Sequence, residues 1–219
     1  MNAKILKQTG SAVLPLLKEG FDPDGKKEMA RRVEVTAALE GAGATPWLRE
    51  ILPQAKKDVR AAVIEALGND PDNIPLLLDL SKSERGNNRD AVLKALAKQD
   101  GEAVQSFWTA ETDRKPEHVE FLKDSKTDWA SDLAASSLRA LLEDALPKDG
   151  RLVLITSEGV SAFKSCRAAI LGKASPAMLD CWRWIDQHFD LLKTLKSDTS
   201  LRFRLGDELE SWLLLSLCT

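Results

Sequence analysis

The sequence predicts an all-α fold, a right-handed α-solenoid of antiparallel helix pairs, on three observations. A phrase recurs at Arg32-Val33-Glu34-Val35-Thr36-Ala37-Ala38-Leu39, Arg60-Ala61-Ala62-Val63-Ile64-Glu65-Ala66-Leu67 and Arg89-Asp90-Ala91-Val92-Leu93-Lys94-Ala95-Leu96, spaced by 28 and then 29 residues. Self-similarity at a period of about 20 to 50 residues is the mark of stacked repeats. Second, each phrase carries one apolar stripe at helical spacing, as Val59, Ala62, Val63, Ala66 and Leu67 do. Third, each phrase ends in a breaker, Gly41-Ala42-Gly43-Ala44-Thr45-Pro46, Gly68-Asn69-Asp70-Pro71-Asp72 or Gln99-Asp100-Gly101, and a second apolar helix follows.

The elements follow in order. Ala12 to Phe21, with Val13, Leu14, Leu16 and Leu17, reads as the first helix of the first unit, turned by Phe21-Asp22-Pro23-Asp24-Gly25. Trp47, Leu48, Ile51 and Leu52, then Leu76, Leu77, Leu78 and Leu80, then Val104, Phe107 and Trp108 supply the companion helices. A fourth, irregular unit is expected from Val104–Ala110 and Trp129–Ala145, with an insertion over Glu111–Lys126. Pro147-Lys148-Asp149-Gly150 marks a boundary, giving a repeat array over 1–147 and further helices over 148–219, either divergent repeats or a C-terminal cap. Arg151-Leu152-Val153-Leu154-Ile155 has the composition of a strand, but a lone strand has nothing to pair with, so a helical turn is expected. Helices are then expected over about Gly159–Gly172, over Pro176–Leu195 with Ser175 as N-cap, and from Ser200 to the end. The chain closes on the apolar Trp212-Leu213-Leu214-Leu215-Ser216-Leu217-Cys218-Thr219. A solenoid needs a polar outer face on its last unit. This end is therefore expected to fold back as core, to meet a partner, or to be the cut edge of a longer parent.

The run Asp58-Val59-Arg60 into Ala61-Ala62-Val63-Ile64-Glu65-Ala66-Leu67-Gly68 resembles the second helix of HEAT-like repeats, in particular the short bacterial form of phycobilisome-lyase-type proteins. The Arg89 copy is similar, and the Arg32 copy is degenerate at Glu34 and Thr36. The resemblance covers about residues 11–145 and implies a HEAT-like superhelix. It implies no single activity, because such repeats serve scaffolds, lyases, DNA glycosylases and regulators alike.

Composition narrows the function. With 43% apolar and 30% charged residues, a formal net charge of −3 and a pI near 5.6, the 219-residue chain has no global charge drawing it to nucleic acid or an anionic membrane. No run of about 18 apolar residues spans a bilayer, and Met1-Asn2-Ala3-Lys4-Ile5-Leu6-Lys7 lacks the apolar core of a secretion signal, so the cytoplasm is the expected compartment. Cys166, Cys181 and Cys218 are expected as reduced, buried thiols, and with His118 and His188 they form no metal-ligand spacing; neither metal nor cofactor is expected.

Arg32, Arg60 and Arg89 fall at corresponding points of the phrase, so stacking lines them up as a ladder on the concave face. Such a ladder clamps phosphates or carboxylates, or it bonds helix-end carbonyls and acids, with Asp58 and Asp90 nearest in sequence. Structure is the favoured role. Trp108 and Trp129 are candidate aromatic anchors for a partner. The same tryptophans, beside Glu111 or Asp113 and Asp128 or Asp132, carry the competing expectation of a HEAT-like DNA glycosylase, which cradles a base between aromatic rings and a carboxylate. A bilin-lyase-like protein is a third expectation, with no assignable pocket residue. The leading expectation is a non-catalytic scaffold or adaptor that binds another protein, with no membrane and with nucleic acid only under the alternative.

Overall fold

The computed structural model describes residues 10–146, 154–170, 172–173 and 175–197. The chain divides into two compact units, Met1–Val104 and Gln105–Thr219. The boundary expected at 147–150, the helix expected from Ser200 and the apolar end at 212–219 all lie outside the described residues.

The first unit is built from helix pairs. A 3-10 turn, Gly10–Val13, leads into the short α1 (Leu14–Lys18), where the sequence predicts one helix over Ala12–Phe21. Then come α2 (Lys27–Glu40), α3 (Thr45–Ile51), α4 (Lys57–Leu67), α5 (Ile74–Ser83) and α6 (Asn87–Ala97). Two of the breakers are themselves wound as 3-10 turns, Gly41–Ala44 and Pro71–Asn73, with Pro46 and Pro75 in the first turn of the helices that follow. The phrase-bearing helices pack side by side, α2 on α4 and α4 on α6, while α1, α3 and α5 each back their own partner. Val33, Val59, Val63, Ile64, Leu67, Val92, Leu93 and Leu96 are fully buried, so the predicted stripes are the core of this unit.

Register departs from the phrase at its first copy. Helices α2 and α4 begin at Lys27 and Lys57, thirty residues apart rather than 28, each after a lysine N-cap. In that register Val33 and Ala37 take the buried places of Val63 and Leu67, and Leu39 is left half-buried. Between α4 and α6 the starts at Lys57 and Asn87 are also thirty apart, but the core keeps the 29-residue spacing, with Val63 and Leu67 matched by the buried Val92 and Leu96.

Gly68 sets how closely α4 and α6 approach. Its φ of −67° suits any residue, but a Cβ built there meets Ala95 Cα at 2.6 Å and Ala95 O at 2.7 Å. Here the glycine supplies space rather than backbone freedom. The carbonyls left open where α4 ends are closed by side chains from later turns. Leu67 O accepts from Asn73 Nδ2 at 2.9 Å, and Gly68 O accepts from Gln99 Nε2. Asn73 is fully buried and also accepts from Arg49 Nε at 2.8 Å, while Thr45 Oγ1 donates to Asp70 Oδ2 at 2.6 Å.

Helix α7 (Glu102–Arg114) crosses the division between the units. It runs past the Ala110 limit expected for it and takes in Glu111. A nine-residue 3-10 segment, Pro116–Asp124, occupies the predicted insertion. Next come α8 (Asp128–Ala145), α9 (Ser157–Ile170) and α10 (Pro176–Leu192). The expected N-cap is in place, Ser175 Oγ accepting from the Met178 N–H at 3.2 Å. Within the second unit α9 and α10 each pack on α8, and α9 packs on the 3-10 segment. The expected turn at 151–155 is corrected: Leu154–Ile155 forms a two-residue strand, β1, parallel to β2 (Lys196–Ser197). The lone-strand argument failed because the pairing strand comes from beyond α10 and carries no strand-like pattern of its own. Among the described residues no helix is long and apolar enough to cross a membrane.

Candidate functional site

The arginines sit where first and second helices of a pair meet. Arg60, in the first turn of α4, donates from Nη1 to Leu52 O, the carbonyl at the end of α3, at 2.8 Å. Its Nε and Nη2 both donate to Glu84 Oε1, at 3.0 and 2.6 Å, at the end of α5 in the next pair. The other oxygen, Glu84 Oε2, accepts from Asn88 Nδ2 at 2.9 Å. Burial pushes the Glu84 carboxyl up, but the Arg60 and Asn88 hydrogen bonds and the Arg60 charge outweigh it, and it titrates below the ordinary value of 4.5. One guanidinium therefore caps its own pair and ties it to the next.

Arg32 does the first half of this. It donates from Nη1 to Glu19 O, just past the end of α1, at 3.1 Å, and from Nη2 to Glu28 Oε1 at 3.0 Å. By the thirty-residue register of α2 and α4 it stands opposite Ala62 rather than Arg60. Arg89 is half-buried and engaged by a neighbour. The acids that meet Arg32 and Arg60 are Glu28 and Glu84, not the Asp58 and Asp90 that proximity in sequence suggests. Glu84 comes from the following pair, a contact that only stacking creates.

A different set of positions forms the exposed side of the same three helices. Stepping by four along each gives Arg31, Val35 and Leu39 on α2, Ala61, Glu65 and Asn69 along and just beyond α4, and Asp90, Lys94 and Lys98 along and just beyond α6. Arg31, Asn69, Asp90, Lys94 and Lys98 are exposed, and the other four are half-buried. Glu65 sits between two lysines of the neighbouring helix, with Lys94 Nζ at 3.9 Å and Lys98 Nζ at 3.7 Å. Sequence reasoning passed over this face because the arginines of the phrase, each one position away from it, drew attention instead. The signal was there in the i, i+4 row opposite the buried stripe.

In the second unit the tryptophans divide. Trp108 is fully buried, so the ring offered as an anchor lies in the core, and its Nε1 has no hydrogen-bond partner. Trp129 is half-buried; its Nε1 and Asp132 Oδ1, one turn apart on α8, are likewise without hydrogen-bond partners. Beside Trp108 on α7, Glu111 is only 4% exposed. Its Oε1 lies 2.7 Å from His118 Nδ1 and its Oε2 accepts from Arg114 Nη2 at 2.6 Å. Sequence left His118 without a partner because seven residues and a change of helix type separate it from Glu111. His188 stacks on Trp184, ring centroids 4.4 Å apart, and the Arg139 guanidinium lies 5.5 Å from the Trp184 ring centre.

Cys166 and Cys181 are buried free thiols. Burial pushes them up, to about 12 and about 11, so neither is a nucleophile at neutral pH in the folded protein. Cys218 lies outside the described residues. Among the described residues no three His, Cys, Asp or Glu side chains converge as a metal site.

Residues 45–151 match the family of HEAT repeats. No curated protein and no solved structure matches the chain. The matched stretch begins at Thr45, the first residue of α3, and takes in the pairs α3 with α4 and α5 with α6. With the repeated phrase, the paired helices and this match together, residues 45–151 are HEAT-like repeats.

Proposed function

We propose that this is a non-catalytic scaffold or adaptor of the cytoplasm that binds another protein through the exposed face of α2, α4 and α6. One observation carries the reading. Three stacked helices present a common face in which the half-buried Val35 and Leu39 of α2 lie beside Ala61 and Glu65 of α4, with Glu65 paired to Lys94 and Lys98 of α6 and the exposed Arg31, Asn69 and Asp90 around them. A face that mixes partly exposed apolar side chains with charged and polar ones has the composition of a non-obligate protein interface. HEAT repeats commonly serve this purpose. The arginine ladder supports the reading from the opposite direction, since the Arg32 and Arg60 guanidiniums are spent on helix ends and on glutamates of the array itself.

The test is capture from a lysate of the source cell with the wild-type chain and with a Val35→Asp, Leu39→Asp, Lys94→Glu variant, at low and moderate salt. A stoichiometric protein held at moderate salt by the wild type and lost by the variant supports the face. A protein partner retained equally by both removes the face. Nucleic acid eluting from the wild type as salt rises replaces the scaffold reading with the glycosylase one.

A further inference from the structure

In an Asp-Gly pair the carboxyl carbon is open to attack by the amide nitrogen of the next residue, because glycine brings no Cβ to obstruct it. Three such pairs occur here, Asp24-Gly25, Asp100-Gly101 and Asp149-Gly150, the last outside the described residues. The other two are held in opposite ways. Asp100-Gly101 lies exposed between α6 and α7, and the Gly101 N–H donates to Asp100 Oδ1 at 2.6 Å, so the side chain is folded back onto the nitrogen that follows it. Gly101 has a φ of 115°, and nothing lies within 4 Å of a Cβ built on it. At Asp24-Gly25 the nitrogen is taken. The Gly25 N–H donates to Asp22 O at 3.0 Å, and Asp24 Oδ2 turns instead to Lys56 Nζ at 2.8 Å. Space is closed there too, since a Cβ on Gly25 collides with Met29 Cγ and stands 2.9 Å from Asp22 O. Asp100 is itself engaged by a further neighbour, so the contrast rests on the two nitrogens and the room beside them.

The geometry points to Asp100-Gly101 as a site of spontaneous covalent modification, where the chain isomerises through a cyclic imide to an isoaspartyl linkage. Atoms and electrons balance with water as the only co-reactant. The Gly101 nitrogen gives up its proton to solvent and attacks Cγ of the protonated carboxyl; the Cγ–N bond forms, the Cγ–OH bond breaks, and water leaves. Water then adds to the ring. Opening at Cγ returns aspartate, and opening at the Asp100 carbonyl carbon leaves the main chain running through Cγ, with the mass unchanged. Holding the reacting atoms side by side is what favours such a ring closure. The product lengthens the backbone by a methylene directly after Gln99, the buried residue whose side chain closes Gly68 O. The modification therefore falls on the joint between α4 and α6.

The experiment incubates the full chain at neutral pH for weeks, in native buffer and in concentrated urea, and counts isoaspartate at each position by electron-transfer fragmentation of its peptides against a zero-time sample. In urea the two pairs should accumulate it at rates within about threefold of each other, because only the Asp-Gly sequence then counts. In native buffer Asp100 should stay within about threefold of its own urea rate. Asp24 should fall about tenfold or more below its own, the scale of the hydrogen bonds to Asp22 and Lys56 that must first be given up. Asp100→Asn should close the same ring in the native state with loss of ammonia, read directly as the mass gained on conversion to the acid, and do so faster than Asp24→Asn. An Asp100 rate suppressed by folding as strongly as that of Asp24, a native Asp24 rate that exceeds it, or no isoaspartate at Asp100 in either solvent overturns the site, and none of these results needs a variant to fold. So does an Asp100→Asn chain that converts no faster than Asp24→Asn in native buffer.

Discussion

In residues 1–104 polar side chains close helix ends within a pair and across to the next: Arg60 to Leu52 O in its own pair and to Glu84 in the following one, Asn73 to Leu67 O, Gln99 to Gly68 O. In residues 105–219 the described ties are local or singular, a glutamate and histidine seven residues apart, a lysine on one carbonyl, two thiols sealed under helices. The first unit repeats one joint, so the chemistry that closes it recurs with the chain period. The second closes each helix by a different device, and no period announces any of them. The difference predicts different weaknesses. The first unit should fail where a joint is crowded or stripped, and the second where its buried groups are made to ionise.

The largest effect is expected at Gly68. A methyl group there cannot fit at 2.6 Å from Ala95 Cα, and because the obstacle is backbone, α4 and α6 must separate. Gly68→Ala should cost about 3 kcal/mol by the scale of core overpacking, read from urea unfolding of the whole chain. Gly43 makes the contrast: its φ is not positive and a Cβ there meets only Glu40 Cβ at 3.8 Å, so Gly43→Ala should change stability by less than about 1 kcal/mol. Equal costs at the two positions would mean that close approach of the helices is not what holds the array.

The second unit should respond to alkali. A thiol that titrates at about 12 when folded and at 9.0 when free favours the neutral form in the folded state. Stability from Cys166 is therefore whole below pH 9 and falls as pH rises from there toward 12. By pH 11 the loss from Cys166 alone is about 2–3 kcal/mol, and Cys181, pushed to about 11, adds to it. Circular dichroism melts across pH 8–11 should show this fall in the wild type and a shallower one in Cys166→Ala. The first unit has no cysteine, so amide exchange in α4 and α6 should lag behind exchange in α9 as the pH is raised.

Asn73 tests the joint from its polar side. One buried carboxamide closes a helix-end carbonyl and receives Arg49, so Asn73→Ala orphans Leu67 O and should cost about 2 kcal/mol. Asn73→Asp keeps the acceptor for Arg49 but loses the donor for Leu67 O, and should recover only part of that. Full recovery by Asp would place the energy in the Arg49 contact and not in the helix end.

Legibility follows the same line between the units. The helices of the first unit were readable because Val59, Val63 and Leu67, then Val92 and Leu96, repeat a burial pattern that local sequence controls. The two-residue slip of α2 was not, because the phrase was aligned on its arginine while the helix is placed by its start at Lys27 and by Val33 and Ala37 in the core. The arginines were found, but Glu84 was not, since the partner of Arg60 belongs to a pair that meets it only by stacking. In the second unit Ser175 was legible as a cap because capping is a rule about neighbours three residues apart. The pairing of β1 with β2 and of Glu111 with His118 depends on how the chain returns on itself, and short-range pattern holds no record of that.

The smallest effect is the sharpest test of what the arginine ladder is for. Arg60→Lys keeps the charge but cannot donate to Leu52 O and Glu84 together, so it should cost about 1 kcal/mol at pH 7. The carboxyl of Glu84 titrates below 4.5 when folded, so its contribution is present above pH 4.5 and lost as the pH falls through its folded value. Wild type and Arg60→Lys should therefore converge in acid as far as the Glu84 contact is concerned. A residual difference below pH 3 measures the bond to Leu52 O, which does not titrate. If the gap is instead the same at pH 7 and in acid, the paired Nε and Nη2 bonds to Glu84 add nothing that a lysine charge does not, and what sets Arg60 apart from lysine is its cap on Leu52 O.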